Sequence, residues 1–230
     1  MPIHLGDTTL TTIYLGDTEV SQVYLGDDLV WQSYRETIHT VTAAGAVTLA
    51  LPPWVRYIDL VLIGGGGGGG GHSSSNVNAG KGGGASVWTT ATLQRGNGYL
   101  EADELLVTVG AGGSGNTSAG GSGSPGGDTT IHAPLIPQPL LTASGGAGGA
   151  GSFTGSSGAS TPGASPGDLI AYSRTFIGGV GGQNGYDSPL PLPGTAPGAG
   201  GGGGGGGLVN GRRDGAPGAP GQAWIRLRNR

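Results

Sequence analysis

The sequence predicts an all-β protein: an N-terminal ladder of short strands over residues 1–34, then a β-sandwich-like domain with packed polyglycine-II helices over 35–230. Three observations carry that prediction. Residues 64–71 and 200–207 are unbroken runs of eight glycines, and shorter glycine pairs and triplets fill much of the chain between and after them. Residues 3–32 repeat with a period of ten, IHLGDTTLTT, IYLGDTEVSQ, VYLGDDLVWQ. Apolar–polar alternation of period two brackets the glycine tracts at both chain ends, and no segment shows a useful 3.6-residue stripe.

A glycine run has no side chains with which to build a core. It carries a bare donor and acceptor on every residue, and without Cβ atoms neighbouring chains can approach closely. The ordered solution is a bundle of extended threefold helices, about 3 residues per turn and about 3.1 Å rise, bonded sideways to one another. The alternative is disorder, because glycine and proline together make up about 30% of the chain, a low-complexity composition. Fixing a backbone residue costs about 1–2 kcal/mol, and glycine loses the most freedom. A net hydrogen bond returns about 0.5–1.5 kcal/mol. Glycine packing therefore needs ordinary strands clamping its ends.

Those strands can be read in order. In the repeat, Ile3/Leu5, Ile13/Leu15 and Val23/Leu25 alternate with His4, Tyr14 and Tyr24, and each unit closes on a Gly-Asp turn signal. So small a ladder buries little alone. It is expected to oligomerise or attach through Leu5, Ile13, Leu15, Val23 and Leu25, the alternative being a meander packed on its own domain. Residues 37–42 are β-prone, 47–51 alternate, and 57–63 are nearly all apolar, as in a strand covered on both faces, running straight into the first octaglycine. Further strands are expected at 85–93, 105–109, 128–132 and 223–228, the last with Ala223, Ile225 and Leu227 on one face and Trp224, Arg226 and Arg228 on the other.

Non-glycine inserts at 72–78, 131–141, 169–177, 186–193 and 208–214 read as loops at the ends of a glycine sandwich. Within them Tyr172, Arg174, Phe176, Tyr186, Arg212 and Arg213 are the residue types favoured at binding hot spots, and are the candidates for contact with a partner. The alternative is that they cap the glycine bundle.

Composition narrows the function. A net charge of −4 argues against nucleic-acid binding, which normally shows a basic stripe. There is no cysteine, so no disulfide or thiolate metal site is expected. The N-terminus lacks the basic and apolar regions of a signal peptide, and no apolar run approaches the roughly 20 residues of a membrane helix. No cofactor is implied. The stretch 121–126 matches G-x-G-x-x-G, but glycine is so frequent that chance supplies it, and Pro125 sits inside. Lys81 follows Gly80 without the serine or threonine of a phosphate loop. His4, His39, His72 and His132 have no ligand spacing. Asp103 and Glu104 are neighbours that diverge on a strand. No enzymatic activity is expected.

Residues 51–230 resemble the glycine-rich domain of phage tail tip proteins and tail-fibre adhesins. The motifs are YIDLVLIGGGGGGGG, GKGGGASVW, LLVTVGAGGSG, GGDTTI, LTASGGAGGAG and AWIRLRN, in that order. The front, YLGDTEVSQVYLGDDLVW, resembles the opening of minor tail proteins from phages of actinobacteria. The resemblance implies a structural component of a virion tail, made in the host cytoplasm. Its loops would contact a host-surface glycan or protein, its N-terminal region other tail proteins, and its copies would form a homotrimer. A purely structural tail or surface protein without a receptor is the alternative.

Overall fold

A computed structural model describes residues 4–5, 8–9, 12–72, 79–96, 100–134, 136–151, 160–185, 190–205 and 213–230. Among them the chain is all-β, with antiparallel sheets and no helix. The ten-residue repeat folds as three hairpins: β1 (His4–Leu5) with β2 (Thr8–Thr9), β3 (Ile13–Leu15) with β4 (Thr18–Val20), and β5 (Gln22–Leu25) with β6 (Asp28–Gln32). Gly16 and Gly26 take φ of +63° and +64° at the first loop position, the conformation a type II′ hairpin turn demands there. The expected ladder of short strands takes the form of three separate hairpins. One repeat holds two strands and their turn, and each hairpin is its own sheet.

Asn229 ties this module to the body. Its side chain accepts from the Arg35 N–H at 2.9 Å and donates to the Ser33 carbonyl at 2.7 Å, fixing the junction against the last strand.

The body begins with β7 (Glu36–Val41) and β8 (Gly45–Ala50). After them come β9 (Tyr57–Ile63), β10 (Trp88–Gln94), β11 (Glu104–Val109), β12 (Thr129–His132) and β13 (Leu141–Ala143). The hairpin β14 (Leu169–Ala171) and β15 (Arg174–Phe176) follows, and β16 (Gln222–Arg228) closes the chain. One sheet has the order β10-β9-β16-β7 and the other β13-β12-β11-β8. Alternation places Ile58, Leu60 and Leu62 of β9 and Ala223, Ile225 and Leu227 of β16 in a common core with Leu105, Val107 and Val109 of β11 and Ile131 of β12. The strands foreseen at 57–63 and 223–228 thus pack as their periodicity requires.

Beyond the core, β9 to β13 and β16 of the two main sheets adjoin glycine tracts. The tract 64–71 continues β9 and is buried at every residue. Its N–H groups turn through three neighbours with a period of three. Gly65 and Gly68 donate to Gly127 and Ser124, Gly66 and Gly69 to Ala219 and Ala216, and Gly67 and Gly70 to Gly84 and Lys81. Its carbonyls accept in the same cycle: Gly65 and Gly68 from Gly146 and Gly149, Gly66 and Gly69 from Gly113 and Asn116, Gly67 and Gly70 from Gly201 and Gly204. The three tracts it donates to run antiparallel to it, and the three it accepts from run parallel. The second octaglycine is also a hub, bonded to 64–71, 80–83, 161–164, 182–185, Leu192 and 216–219.

A chain with bonded neighbours on every side can carry no side chain at all. At all eight positions of 64–71 a Cβ would meet neighbouring backbone within van der Waals distance. Peripheral tracts touch neighbours on only part of their circumference. They keep glycine there and place exposed Ala111 and Ser114, or Ala147 and Ala150, on the outside at three-residue spacing.

Candidate functional site

The outer face of the β7–β16–β9 sheet carries a cleft of about 650 Å³ under the β14–β15 hairpin. Period two decides which side chains enter it. With odd-numbered β16 residues in the core, Gln222, Trp224 and Arg226 point outward, beside Asp59 and Val61 of β9 and Ile38 and Thr40 of β7. The hairpin adds Tyr172, Arg174, Thr175 and Phe176, and Ile177 follows it.

The hairpin loop is Tyr172-Ser173, with φ of 51° and 58°. Two successive left-handed residues are what a type I′ turn needs, a place usually given to Asn-Gly. Holding non-glycine residues there costs on the order of 1–3 kcal/mol each. The tyrosine also reaches into the site: its hydroxyl lies 3.4 Å from Thr92 Oγ1, which donates to Asp59 Oδ1 at 2.8 Å. Phe176 meets Trp224 edge-on at 5.1 Å between centroids, and Trp88 lies 5.6 Å on from Trp224. The Trp88 Nε1–H donates to the Gly167 carbonyl at 3.0 Å, anchoring the hairpin's base.

Beneath and beside the cleft runs a chain of alternating charges. Asp59, its side chain 1% exposed, accepts from Arg228 at 2.8 and 3.3 Å, and Arg226 Nη1 stands 3.6 Å away. Glu36 accepts from Arg226 Nε at 2.8 Å, from the Tyr34 hydroxyl at 2.7 Å and from Arg174 at 3.2 Å. The Tyr34 hydrogen bond first, then Arg226 and Arg174, hold the Glu36 carboxyl below the usual carboxylate range. Burial first, then the bond to Glu36, pushes the Tyr34 phenol up. Arg228 also lies over the Tyr57 ring at 4.5 Å. Three guanidinium groups thus face two carboxylates, and Arg174 is the most exposed of the three.

The structure gathers Tyr172, Arg174 and Phe176 in this cleft. It places Arg213 at the far end of the glycine tracts, where the Arg213 carbonyl accepts from the His72 N–H. Tyr186, Arg212 and the side chain of Leu5 lie outside the described residues. In the hairpins Ile13 pairs with Val20 and Val23 with Trp31 and both are half-buried, whereas Leu15 and Leu25 stand beside the turns almost fully exposed, with Tyr14 and Tyr24. Sequence reasoning missed Glu36, Asp59 and Thr40 as site residues. The one available signal was Asp59, a lone charge inside an otherwise apolar strand, which demands a buried partner.

At the far end the tracts finish level with one another. Gly71 bonds to Gly121, His72 to Arg213 and Gly120, Gly80 to Gly204, and Gly185 to Gly203. His72 is buried there with neither ring nitrogen hydrogen-bonded among the described residues, and burial pulls its imidazole below the ordinary value. Among the described residues no group of acidic and histidine side chains has metal-binding geometry.

The chain matches the glycine-rich domain family over residues 41–228. It is 36% identical over 204 residues to the Gene 32 protein of Mycobacterium phage L5, covering 85% of this chain and 84% of that protein. It is 37% identical over 204 residues to the Gene 32 protein of Mycobacterium phage D29, covering 85% of each.

Proposed function

This chain belongs to the glycine-rich domain family, with homologues encoded by mycobacteriophages, and from that premise we propose that it is a non-enzymatic component of a phage tail tip or fibre that displays loops for host-surface attachment. The observation that carries the reading is the level end of the lattice. Tracts hydrogen-bonded to one another bring residues 72, 116, 151, 185 and 205 to one end of a body whose other end is ordinary sheet. A platform of that kind holds variable loops without depending on their composition.

In this reading the tracts are polyglycine-II helices. Their three-residue bonding cycle and their glycine-only hubs support it. The N-terminal hairpins join the chain to its own copies as a homotrimer and to neighbouring tail proteins. Leu15, Leu25, Tyr14 and Tyr24, exposed on short two-stranded sheets, suit that task. The protein is then carried in the virion tail, after synthesis in the host cytoplasm.

The test is binding of the purified, fluorescently labelled full-length chain to susceptible and to phage-resistant host cells. Its assembly mass is measured in the same preparation by light scattering. Selective binding by a trimer is expected. Equal binding to both cell types, or none, would leave the purely structural role, and a monomer mass would remove the trimer.

A further inference from the structure

We infer that the cleft beneath the β14–β15 hairpin binds an acidic sugar, a saccharide unit carrying a carboxylate or phosphate. This rests on the attachment reading only for the source of the sugar, which would be a host-surface glycan. The site itself stands on three features of the cleft.

The first is charge. Both carboxylates of the network already have cationic partners, and Arg174 is tied to Glu36 by a single 3.2 Å contact while its side chain is 46% exposed. Arg174 lines the cleft, and the N–H groups it does not give to Glu36 belong to a planar guanidinium, the group whose geometry matches a carboxylate or phosphate. A cationic mouth on a chain of net charge −4 is a local feature that selects anions.

The second is the neutral lining. Thr40, Thr175 and Gln222 line the cleft with uncharged polar side chains. Two hydroxyls and an amide offer both donors and acceptors at close spacing, which is what ring hydroxyls need. Phe176 and Trp224 supply apolar wall for the ring's C–H faces. A few polar groups on an apolar wall, in about 650 Å³, is the make-up of a small-molecule site.

The third is the strained loop. A glycine at position 172 would relieve the turn, so tyrosine is held there against its backbone preference. Its ring closes the cleft on the side of Thr92 and Asp59. Strain of this kind at the rim of a cleft is where ligand-gripping residues are found.

The experiment is a titration of the full-length chain, followed by Trp fluorescence and calorimetry, with trigalacturonate, galactose 6-phosphate, neutral galactotriose and a glutamate-rich peptide. We expect one or both acidic sugars to bind and galactotriose to bind at least tenfold more weakly. The carboxylate and phosphate arms tell which anion is preferred. Arg174→Gln should weaken the acidic sugar at least tenfold, Arg174→Lys less, and Gln222→Ala severalfold, with melting temperatures unchanged. Galactotriose or the peptide binding as tightly, undiminished binding by Arg174→Gln, or failure of both acidic sugars would each overturn the assignment. Should host cells still bind the chain in that last case, attachment would stand and only this cleft would lose its role.

Discussion

Replacing Gly67 with valine should lower the melting temperature by roughly 10–20 °C, equivalent to about 4–5 kcal/mol in a domain of this size. The reason is geometric. A Cβ at Gly67 would be driven into the carbonyl of Ala147, with the Gly146 carbonyl close behind. Neither is a side chain that can swing away. Both belong to a tract that is itself bonded to 64–71, to 81–84 and to 123–126, so relieving the clash would break hydrogen bonds on several sides. Overpacking in a side-chain core is softened by rotamer changes, and a backbone lattice has none to offer. The control lies on the same neighbour. Ala147 points outward and is exposed, so Ala147→Ser should change stability by no more than about 0.5 kcal/mol. Differential scanning calorimetry of the two variants reads both. A melting temperature unmoved in Gly67→Val would count against close-packed tracts.

The second large effect is expected at Asp59. Asp59→Ala should destabilise the fold by about 3 kcal/mol, the low end of the range for breaking a buried ion pair from one side. Arg228 would lose its only carboxylate partner among the described residues, Arg226 would keep Glu36, and Thr92 would lose its acceptor. Both arginines are about a quarter exposed, so water compensates part of the loss and the upper end is not reached. Asp103→Ala is the contrast: that carboxylate also bonds an arginine, at 2.6 Å to Arg95, but is 99% exposed, and its removal should leave the melting temperature where it was. Chemical denaturation of the two variants checks the pair. Equal effects would mean that burial does not set the strength of these contacts.

Much of this architecture could be read from the chain, for specific reasons. Eight glycines in a row leave no face on which a side chain could sit, which implies neighbours all round, and 64–71 and 200–204 are surrounded by neighbouring backbone. Ala223, Ile225 and Leu227 alternate with Trp224, Arg226 and Arg228, and that alternation alone orients the last strand. Neighbour identity could not be read. Backbone-to-backbone bonds carry no sequence signature, so nothing in 64–71 says that its partners are 113–116 or 201–204. Nor could the spacing of the repeat say whether ten residues hold one strand or a hairpin.

The cleft was the least legible part. Its walls come from strands at 36–41, 57–63 and 222–228 and from a hairpin at 169–176, and Asp59 meets Arg228 across 169 residues. The hairpin hid because Tyr-Ser occupies a turn where Asn-Gly or Asp-Gly is the usual sign. Tyr172, Arg174 and Phe176 were nonetheless picked out, as residue types favoured at binding hot spots.

The central claim is that unadorned backbone forms a solid lattice pinned at one end by a β-sandwich. Amide hydrogen exchange read glycine by glycine tests it most directly. Protection at 64–71 and 200–205 should match that of Leu60 and Ile225 in the sheet and persist for hours under native conditions. Exchange of those amides within seconds, in a protein whose sheet remains protected, would contradict it.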